Sequence, residues 1–474
     1  MVTLTPRGSR DGKPPSAEAR AAVLRQTLIF ALVSAVNGGF IGVTGPSLHT
    51  LGKATGLGQG SLGRIVFTNR FAKLLGSFLW AAYAKAAQKG HAPCSASFVL
   101  AGCSSVIAGA TLCIATMRTS AIALQCSLAV AGAAYGVSDS AITLLTVWAN
   151  REPIVQRTHV AMLNVGFTVG ALVTPAVIAG ALRLGGSSYA GFYVLGAFAC
   201  VVSMGMLTGG ATTTPPPPDM ELPRSHTEAS ADGQSRREGS HRMRNVLMIG
   251  AMSTILFCVT GCEHAVATWL PSYGQHVGGI GEQELALMSA GFWLMICIGR
   301  VLWAAISSAI TSGFPPLAFD GVLMLLSSML IAQFGRSKRH GRHPLLAIEP
   351  ASLLWCGTLG LGFGCSSSLP CAITLPAEAR VELTPFRLLA LNLAGSAGEM
   401  LMPFLIGQVF ERGEYYHLGT ALVVLEALVV GCTAIAWRVA TLAEEEEAEL
   451  ASNGEEMEEI RQRLVQSEDE VAAC

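Results

Sequence analysis

The sequence predicts an all-α membrane protein with twelve transmembrane helices in two pseudo-symmetric halves of six, and three observations support this. The chain of 474 residues is 51% hydrophobic and only 13% charged, which is too apolar for a soluble protein of this length. Windows of about 20 apolar residues, enough to cross a hydrocarbon core of about 30 Å as a helix, recur along it. The pattern G-x-x-L-W-A-A occurs twice, beginning at Gly76 and at Gly299. Strands are not expected, because open strands leave backbone groups unsatisfied in lipid.

Twelve apolar windows are long enough to span a bilayer. Short connections separate most of them, which indicates packed helical hairpins. The windows centre near Ala35, Leu75, Ile107, Ala131, Ala171, Leu195, Leu256, Met295, Leu325, Gly360, Ala397 and Leu428.

A polar segment separates the sixth window from the seventh. TTTPPPPDMELPRSHTEASADGQSRREGSHR is rich in proline, serine and charge, and it predicts a disordered linker. We therefore expect a cytoplasmic leader, a six-helix half, a disordered cytoplasmic linker, a second six-helix half and an acidic cytoplasmic tail. Their predicted bounds are 1–25, 26–208, 209–243, 244–440 and 441–474.

Matching segments in the two halves predict an internal duplication. The repeated heptapeptide lies in the second window of each half. LNVGFTVGALVTP from Leu163 and LNLAGSAGEMLMP from Leu391 align in the fifth windows, and at the same offset GVSDS from Gly136 aligns with GCSSS from Gly364 in the fourth. The heptapeptide recurs, on this interpretation, because the whole half recurs.

Basic residues place both termini in the cytoplasm. The leader carries several arginines and lysines, and the first apolar window is too long for a signal peptide. Most later basic loops fall on the same side. RSKRHGRH, from Arg336, lands on the opposite side, so either it has a special role or the window count between Gly313 and Ala351 is wrong. The host membrane is either the plasma membrane or an internal one.

Several other classes of protein are disfavoured. The net charge of −1, without clusters of basic and aromatic residues, argues against a nucleic-acid partner. The thirteen cysteines lack a metal-ligand spacing. No nucleophile, acid and base converge by spacing, so we expect no catalytic residue, metal or cofactor and no enzyme activity. We expect a monomer in the lipid bilayer.

The sequence resembles the major facilitator superfamily, whose transporters rock two six-helix halves about a midplane site. Within it, the sequence resembles the fucose–proton symporter branch and its eukaryotic relatives described as sodium-dependent glucose transporters. The resemblance covers all but the leader, linker and tail, and it is strongest in GPSLHTL, GCEHAVATWLPSY, SAGFWLMICIGR and GSAGEMLMPFLIG. The superfamily's basic signature is reduced to AKAAQKGH, and Asn37 stands where fucose symporters have an aspartate.

This resemblance implies a secondary active transporter that moves a hexose or related small polar solute with a coupled proton or sodium ion by alternating access. One alternative is a transporter of another small organic solute, such as an organic anion. Another is a non-transporting sugar sensor. Lys73 and Arg300 are the two permanent cations expected within the windows, and so small a number favours a neutral substrate.

Ionisable residues in the windows are the candidates for ion coupling, because each one costs a few kcal/mol to place in lipid. Asp139 resembles the membrane carboxylate of fucose symporters. Glu263 is a candidate for both the ion and the substrate. Glu399 is the third, since its equivalent in the first half is Ala171. The alternative for each is a structural acid, capped by serines or paired with Arg300.

Polar and aromatic residues complete the predicted substrate site. The resemblance implies that Glu263 accepts hydrogen bonds from hydroxyls and that Trp269 offers an apolar face to a sugar ring. The alternative for Trp269 is an anchor of the helix at the membrane interface. Asn37, Asn164 and Asn392 are candidates for binding a polyol, with helix-to-helix hydrogen bonding as the alternative for the repeated pair. Glu426 is expected to be structural or protonated.

Overall fold

In the computed structural model, long helices joined by short connections make up the part of the chain that it describes. That part comprises residues 17–89, 91, 94–149, 153–208, 234–306, 312–340, 349–379, 381, 384–442 and 445. Twelve long helices and no strand occur among these residues, which confirms the predicted all-α class.

Each half contains six helices. The first half comprises α1 (Ala17–Thr55), α2 (Gln59–Gln88), α3 (Ala96–Thr116), α4 (Ala121–Ala149), α5 (Pro153–Arg183) and α6 (Tyr189–Thr208). The second comprises α7 (Gln234–Gly278), α8 (Glu282–Ile306), α9 (Phe314–His340), α10 (Pro350–Glu378), α11 (Pro385–Glu411) and α12 (His417–Leu442).

Eleven of these helices are long and apolar enough, by length and composition, to cross a membrane. Helix α2 is the exception. Its centre carries Asn69, Arg70 and Lys73, and these polar side chains lower its mean hydropathy. The second window is therefore a helix whose charged side chains need partners inside the bundle.

The predicted domain bounds meet the helices only in part. Helix α1 begins within the predicted leader and α7 within the predicted linker. Residues 1–16, 209–233 and 446–474, which include most of the predicted linker and tail, lie outside the described residues. Among the described residues from Gly313 to Glu349, α9 is the one helix, as the window count requires, and it includes the start of the basic segment from Arg336. The side of the membrane on which that segment lies stays a prediction.

Helix contacts repeat between the halves with a shift of six helices. In the first half α1 packs on α5 and α4 packs on α2 and α3; in the second, α7 packs on α11 and α10 packs on α8 and α9. The contacts between the halves follow the same rule, since α5 packs on α8 and α11 packs on α2. The pseudo-symmetric arrangement predicted from the sequence is thereby confirmed.

Matched glycines mark equivalent contacts in the two halves. A Cβ on Gly170 of α5 would clash with the carbonyl oxygen of Ala35 on α1. A Cβ on Gly398 of α11 would clash in the same way with Phe257 on α7. Only glycine permits so close an approach of two helix backbones. These two glycines are aligned by the sequence repeat, so the repeat records the same helix contact twice.

The repeated heptapeptide marks another such contact. Gly76 of α2 lies against the carbonyl of Ala133 on α4, and Gly299 of α8 lies against the side chain of Ser366 on α10. Both copies therefore serve as the seam between the second and fourth helices of a half.

The two halves are joined at one end of the bundle, which we call the distal end: there α1 and α7 finish and α2 and α8 begin. His49 Nδ1 of α1 lies 2.6 Å from Glu282 Oε1 of α8. The Gln408 amide donates to the Gly60 carbonyl at 2.9 Å, and the Gly60 N–H donates to Glu411 Oε2 at 2.7 Å. These contacts link α1 to α8 and α2 to α11.

Candidate functional site

A cluster of charged side chains joins the two halves within the membrane-spanning part. Arg70 Nη1 of α2 donates to Glu399 Oε1 of α11 at 2.9 Å. Lys73 Nζ of α2 donates to Glu399 Oε2 at 2.8 Å and to Oε1 at 3.1 Å. Arg70 and Lys73 are three residues apart and therefore project from one face of α2. We refer to Arg70, Lys73, His264 and Glu399 as the charge cluster.

His264 brings α7 into the charge cluster. Its Nδ1 lies 2.9 Å from the Thr260 carbonyl one turn earlier, and a carbonyl only accepts, so Nδ1 carries the proton. Its Nε2 makes no hydrogen bond, although Glu399 Oε1 is 3.3 Å away. A proton added to Nε2 would turn this approach into a third ion pair with Glu399.

The charge cluster is buried. Arg70 is 5% exposed and Glu399 is 6% exposed. Burying such charges is costly, and the cost is offset only when opposite charges and hydrogen bonds are close. The Lys73 ammonium also lies 4.5 Å from the centre of the Tyr135 ring on α4, a cation–π contact. Arg70 Nε is buried without a hydrogen-bond partner, so one donor of the cluster is unused.

Two of the predicted carboxylates lie beside the charge cluster. Asp139 of α4 is within electrostatic range of Lys73 and Glu399, and Glu263 of α7 is within range of His264. Asp139 is half-buried and Glu263 is buried. Neither carboxylate makes a hydrogen bond or ion pair with another residue in the described part of the chain. Both remain available to a solute or an ion.

Asn37 of α1 contacts α4 at the residue that precedes Asp139. Ser138 Oγ donates to Asn37 Oδ1 at 3.0 Å, and Ser138 is the residue before Asp139. Asn37 is completely buried, yet its Nδ2 has no hydrogen-bond partner. Four helices therefore supply the predicted residues Asn37, Asp139, Glu263 and Glu399. Asp139 interacts electrostatically with Glu399, and both Glu263 and Glu399 interact with His264.

Trp269 lies apart from this group. Its side chain is completely buried, its indole N–H donates to the Pro403 carbonyl at 2.7 Å, and its ring packs on Phe410 at 5.4 Å. The indole donor is thus occupied by the contact between α7 and α11.

The repeated asparagines are on exposed positions of α5 and α11. Asn164 accepts a hydrogen bond through its backbone carbonyl from Arg300 Nη1 of α8 at 3.3 Å. The Asn392 amide donates to the Leu388 carbonyl of its own helix. Neither amide side chain hydrogen-bonds across helices in the described residues, and neither contacts the charge cluster.

Two buried charged residues were missed in the sequence. Arg70 lies one turn before Lys73 in the second window, and Asp320 lies in the ninth. Asp320 is 3% exposed and accepts hydrogen bonds from Ser367 of α10, and the Ser368 hydroxyl lies 3.5 Å from its carboxylate. A complete count of ionisable residues in each window would have found both. Glu426 of α12 is completely buried.

Comparison with known families settles the class of the protein. The family described as Major Facilitator Superfamily matches residues 30–403, well over half of the chain. The chain belongs to the Major Facilitator Superfamily. No curated protein matches the sequence significantly.

Solved structures of other superfamily transporters share the fold. A D-xylose–proton symporter is 15% identical with a TM-score of 0.63, and the match covers 87% of this chain and 97% of that one. A mutant of the nucleoside transporter NupG is 13% identical with a TM-score of 0.60, covering 87% and 99%. A bacterial homolog of the human lysosomal transporter Spinster, inward-facing and unoccupied, is 15% identical with a TM-score of 0.54, covering 91% and 97%. Superfamily membership and these structures together indicate a multi-pass membrane transporter rather than an enzyme.

Proposed function

We propose that the protein is a secondary active transporter that moves a hexose or related small polar solute together with a proton or sodium ion by alternating access. The net charge of the ionisable side chains where the two halves meet is the observation that supports this proposal. Asp139, Glu263 and Glu399 supply three carboxylates, whereas Arg70 and Lys73 supply two permanent cations. With His264 neutral the group carries one net negative charge, which one proton or one monovalent cation neutralises. Neutrality lowers the cost of enclosing the group in the membrane.

A polyhydroxy solute suits the unused polar groups. Glu263 and Asp139 offer acceptors, and Asn37 Nδ2 and Arg70 Nε are buried donors without partners. A hydroxyl both donates and accepts, so a sugar can satisfy both kinds of group and remove the cost of leaving them unpaired. Two of the similar structures are named as transporters of D-xylose and of nucleosides, and both solutes carry sugar hydroxyls. Asn164, Asn392 and Trp269 remain proposed substrate-binding residues.

Coupling follows from the place of Lys73. Its ammonium interacts with Glu399 of the opposite half and with Asp139 of its own half. When a proton or cation neutralises Asp139, Lys73 interacts with Glu399 alone, which strengthens the contact between α2 and α11. When Asp139 is ionised and holds neither a proton nor a cation, Asp139 and Glu399 compete for Lys73. The occupancy of Asp139 is thereby linked to the contact that must change when the halves move.

We also propose a monomer with both termini in the cytoplasm, in either the plasma membrane or an internal membrane. The basic leader and the arginines and lysines of the other predicted cytoplasmic loops support this orientation. A protease-accessibility assay on tagged termini in sealed vesicles tests it.

Counterflow in proteoliposomes tests the transport proposal. Purified protein is reconstituted with unlabelled sugar inside, and the uptake of radiolabelled hexoses is measured with no gradient, with a proton gradient and with a sodium gradient. We expect counterflow of at least one hexose and its accumulation under one of the two gradients. Uptake no faster than into protein-free liposomes, for every sugar tested, would contradict transport and leave a sugar sensor.

An organic anion is the second candidate, and Arg70 is the observation that favours it. Arg70, Lys73 and His264 converge on one carboxylate, and the carboxylate of a solute is chemically able to replace Glu399 there. The same liposomes distinguish the two candidates. Counterflow of a sugar acid or dicarboxylate, without counterflow of any neutral hexose, would favour the anion.

A further inference from the structure

The second half holds a buried carboxylate that the charge cluster does not include. Asp320 of α9 is 3% exposed within the membrane-spanning part. The Ser367 N–H donates to Asp320 Oδ2 at 3.3 Å, the Ser367 hydroxyl donates to the same oxygen, and the Ser368 hydroxyl lies 3.5 Å from it. In the described part of the chain, no lysine, arginine or histidine forms an ion pair with Asp320. Its negative charge is therefore met only by neutral groups.

The hydrogen bonds leave one carboxylate oxygen vacant. The Ser367 N–H and the Ser367 hydroxyl both donate to Oδ2, whereas the Ser368 hydroxyl is nearer to the Gly364 carbonyl and donates to it. Oδ1 makes no hydrogen bond within the described residues and is not sealed from solvent. The two hydrogen bonds that Ser367 donates to Oδ2 stabilise the ionised carboxylate, and Oδ1 stays open to a cation. The geometry favours an ionised carboxylate with a cation next to it.

The two halves differ in the cation that compensates their buried carboxylate. Ser367 of α10 aligns with Asp139 of α4 in the repeated fourth helices. In the first half the carboxylate at this position belongs to α4 itself, and in the second half Asp320 of α9 supplies it. In the first half Lys73 compensates Asp139. The heptapeptide alignment of Gly76 with Gly299 makes Ile296 the counterpart of Lys73, and Ile296 is completely buried. The second half keeps the acid and has replaced the fixed cation with an apolar side chain.

We propose that Asp320, Ser367 and Ser368 form a binding site for one monovalent alkali cation, with sodium as the ion to test. Carboxylate and hydroxyl oxygens are hard ligands, which suit alkali and alkaline-earth ions rather than transition metals. One carboxylate with a monovalent ion is neutral, whereas a divalent ion would leave a net charge buried in the membrane. The Ser368 hydroxyl also donates to the Gly364 carbonyl at 3.0 Å, which leaves its oxygen lone pairs free for the ion. This site is separate from Asp139 and stands whether or not the transported solute is a sugar.

Direct binding of sodium tests the site without substrate or gradient. The full-length protein in lipid nanodiscs is equilibrated with radioactive sodium at constant ionic strength, with choline as the replacement cation, and the bound ions per protein are counted. We expect Asp320→Asn to remove one bound sodium ion. Glu426→Gln, which changes another buried acid of the second half, is the matched control and keeps the wild-type count.

A second, milder variant tests the site in case Asp320→Asn misfolds. Ser367→Ala removes one hydroxyl ligand and keeps the carboxylate, and we expect it to raise the half-saturating sodium concentration about tenfold. An unchanged sodium count in Asp320→Asn, or an unchanged affinity in Ser367→Ala, would overturn the proposal. No sodium binding by the wild-type protein would overturn it too and would leave Asp320 as a proton site. Failure of sugar counterflow would not affect any of these outcomes.

Discussion

The Glu399 carboxylate connects three helices from both halves of the protein. It accepts from Arg70 and Lys73 on α2 and lies beside His264 on α7. Because the site is buried, each partner is stabilised mainly by the others and hardly by water. Removal of the central charge therefore affects more than one contact.

We expect Glu399→Gln to destabilise the protein strongly. The amide keeps the shape but leaves Arg70 and Lys73 as buried cations without a counter-charge, which costs about 3 to 5 kcal/mol. The unfolding temperature of the purified protein measures this loss. Glu414→Gln is the control, since its ion pair with His417 is exposed and contributes less than about 1 kcal/mol. Equal unfolding temperatures in the two variants would show that the charge cluster does not stabilise the bundle.

Glu263 tests the proposed recognition of hydroxyls. Glu263→Gln keeps the side-chain shape but removes the charge, so each lost charge-assisted hydrogen bond weakens sugar binding by roughly 1.5 to 3 kcal/mol. Equilibrium binding of labelled sugar measures the change, with Glu426→Gln as the matched buried acid. Wild-type affinity in Glu263→Gln would assign Glu263 a structural role.

Asp139 tests the proposed coupling. Asp139→Asn cannot take up a proton or hold a cation, so we expect it to abolish accumulation driven by an ion gradient. Exchange of sugar without a gradient is expected to continue, because exchange does not require the ion to be released. Both are measured in proteoliposomes, with Glu414→Gln as an exposed control. A variant that still concentrates sugar would move the coupling role to Glu263 or Glu399.

The close contact between α5 and α1 depends on the absence of a side chain. Gly170 lies against the Ala35 carbonyl, and its repeat partner Gly398 lies against Phe257. In lipid, where apolar side chains gain little by leaving the solvent, such backbone approach is a main source of helix association.

We expect Gly170→Ala to destabilise the protein, although alanine is the better helix former. The new methyl group would force α5 away from α1, and overpacking of this kind costs about 1 to 3 kcal/mol. Gly102→Ala on α3 is the control, because no atom lies near the added methyl group. That control is expected to be neutral or to gain up to about 1 kcal/mol from helix propensity. An unfolding temperature for Gly170→Ala at or above the control would contradict this account of the seam.

The contacts at the distal end join the two halves of the molecule. His49 pairs with Glu282 across α1 and α8, and His276 of α7 stacks on Tyr415 at 4.1 Å beside them. Alternating access requires the halves to separate there at one stage of the cycle. A covalent link across this end is therefore expected to stop transport.

Cross-linking tests this expectation. Cysteines introduced as His49→Cys and Glu282→Cys, in a background without other reactive thiols, are joined by a short cleavable reagent. We expect sugar counterflow to stop and to return after cleavage. Thirteen native cysteines make that background necessary. The control pair is Thr27→Cys with His159→Cys, since these residues are hydrogen-bonded at 2.8 Å within one half and need not separate. Continued counterflow in the distal cross-linked protein would exclude this opening motion.

The sequence by itself determined the helices, their number and their division into halves, because hydropathy and the G-x-x-L-W-A-A repeat are local properties of the chain. It also indicated Asp139, Glu263 and Glu399, since a charge within an apolar window is conspicuous without any structure. It did not indicate the partners of Glu399, for which Arg300 was one alternative and which are Arg70 and Lys73. Those residues are more than 300 positions away, and only the packing of α2 on α11 brings them together. For the same reason the tertiary structure alone decided that the Trp269 indole is occupied by Pro403 and that Asp320 meets Ser367, because contacts between helices depend on which faces pack, and local apolar patterns do not specify that.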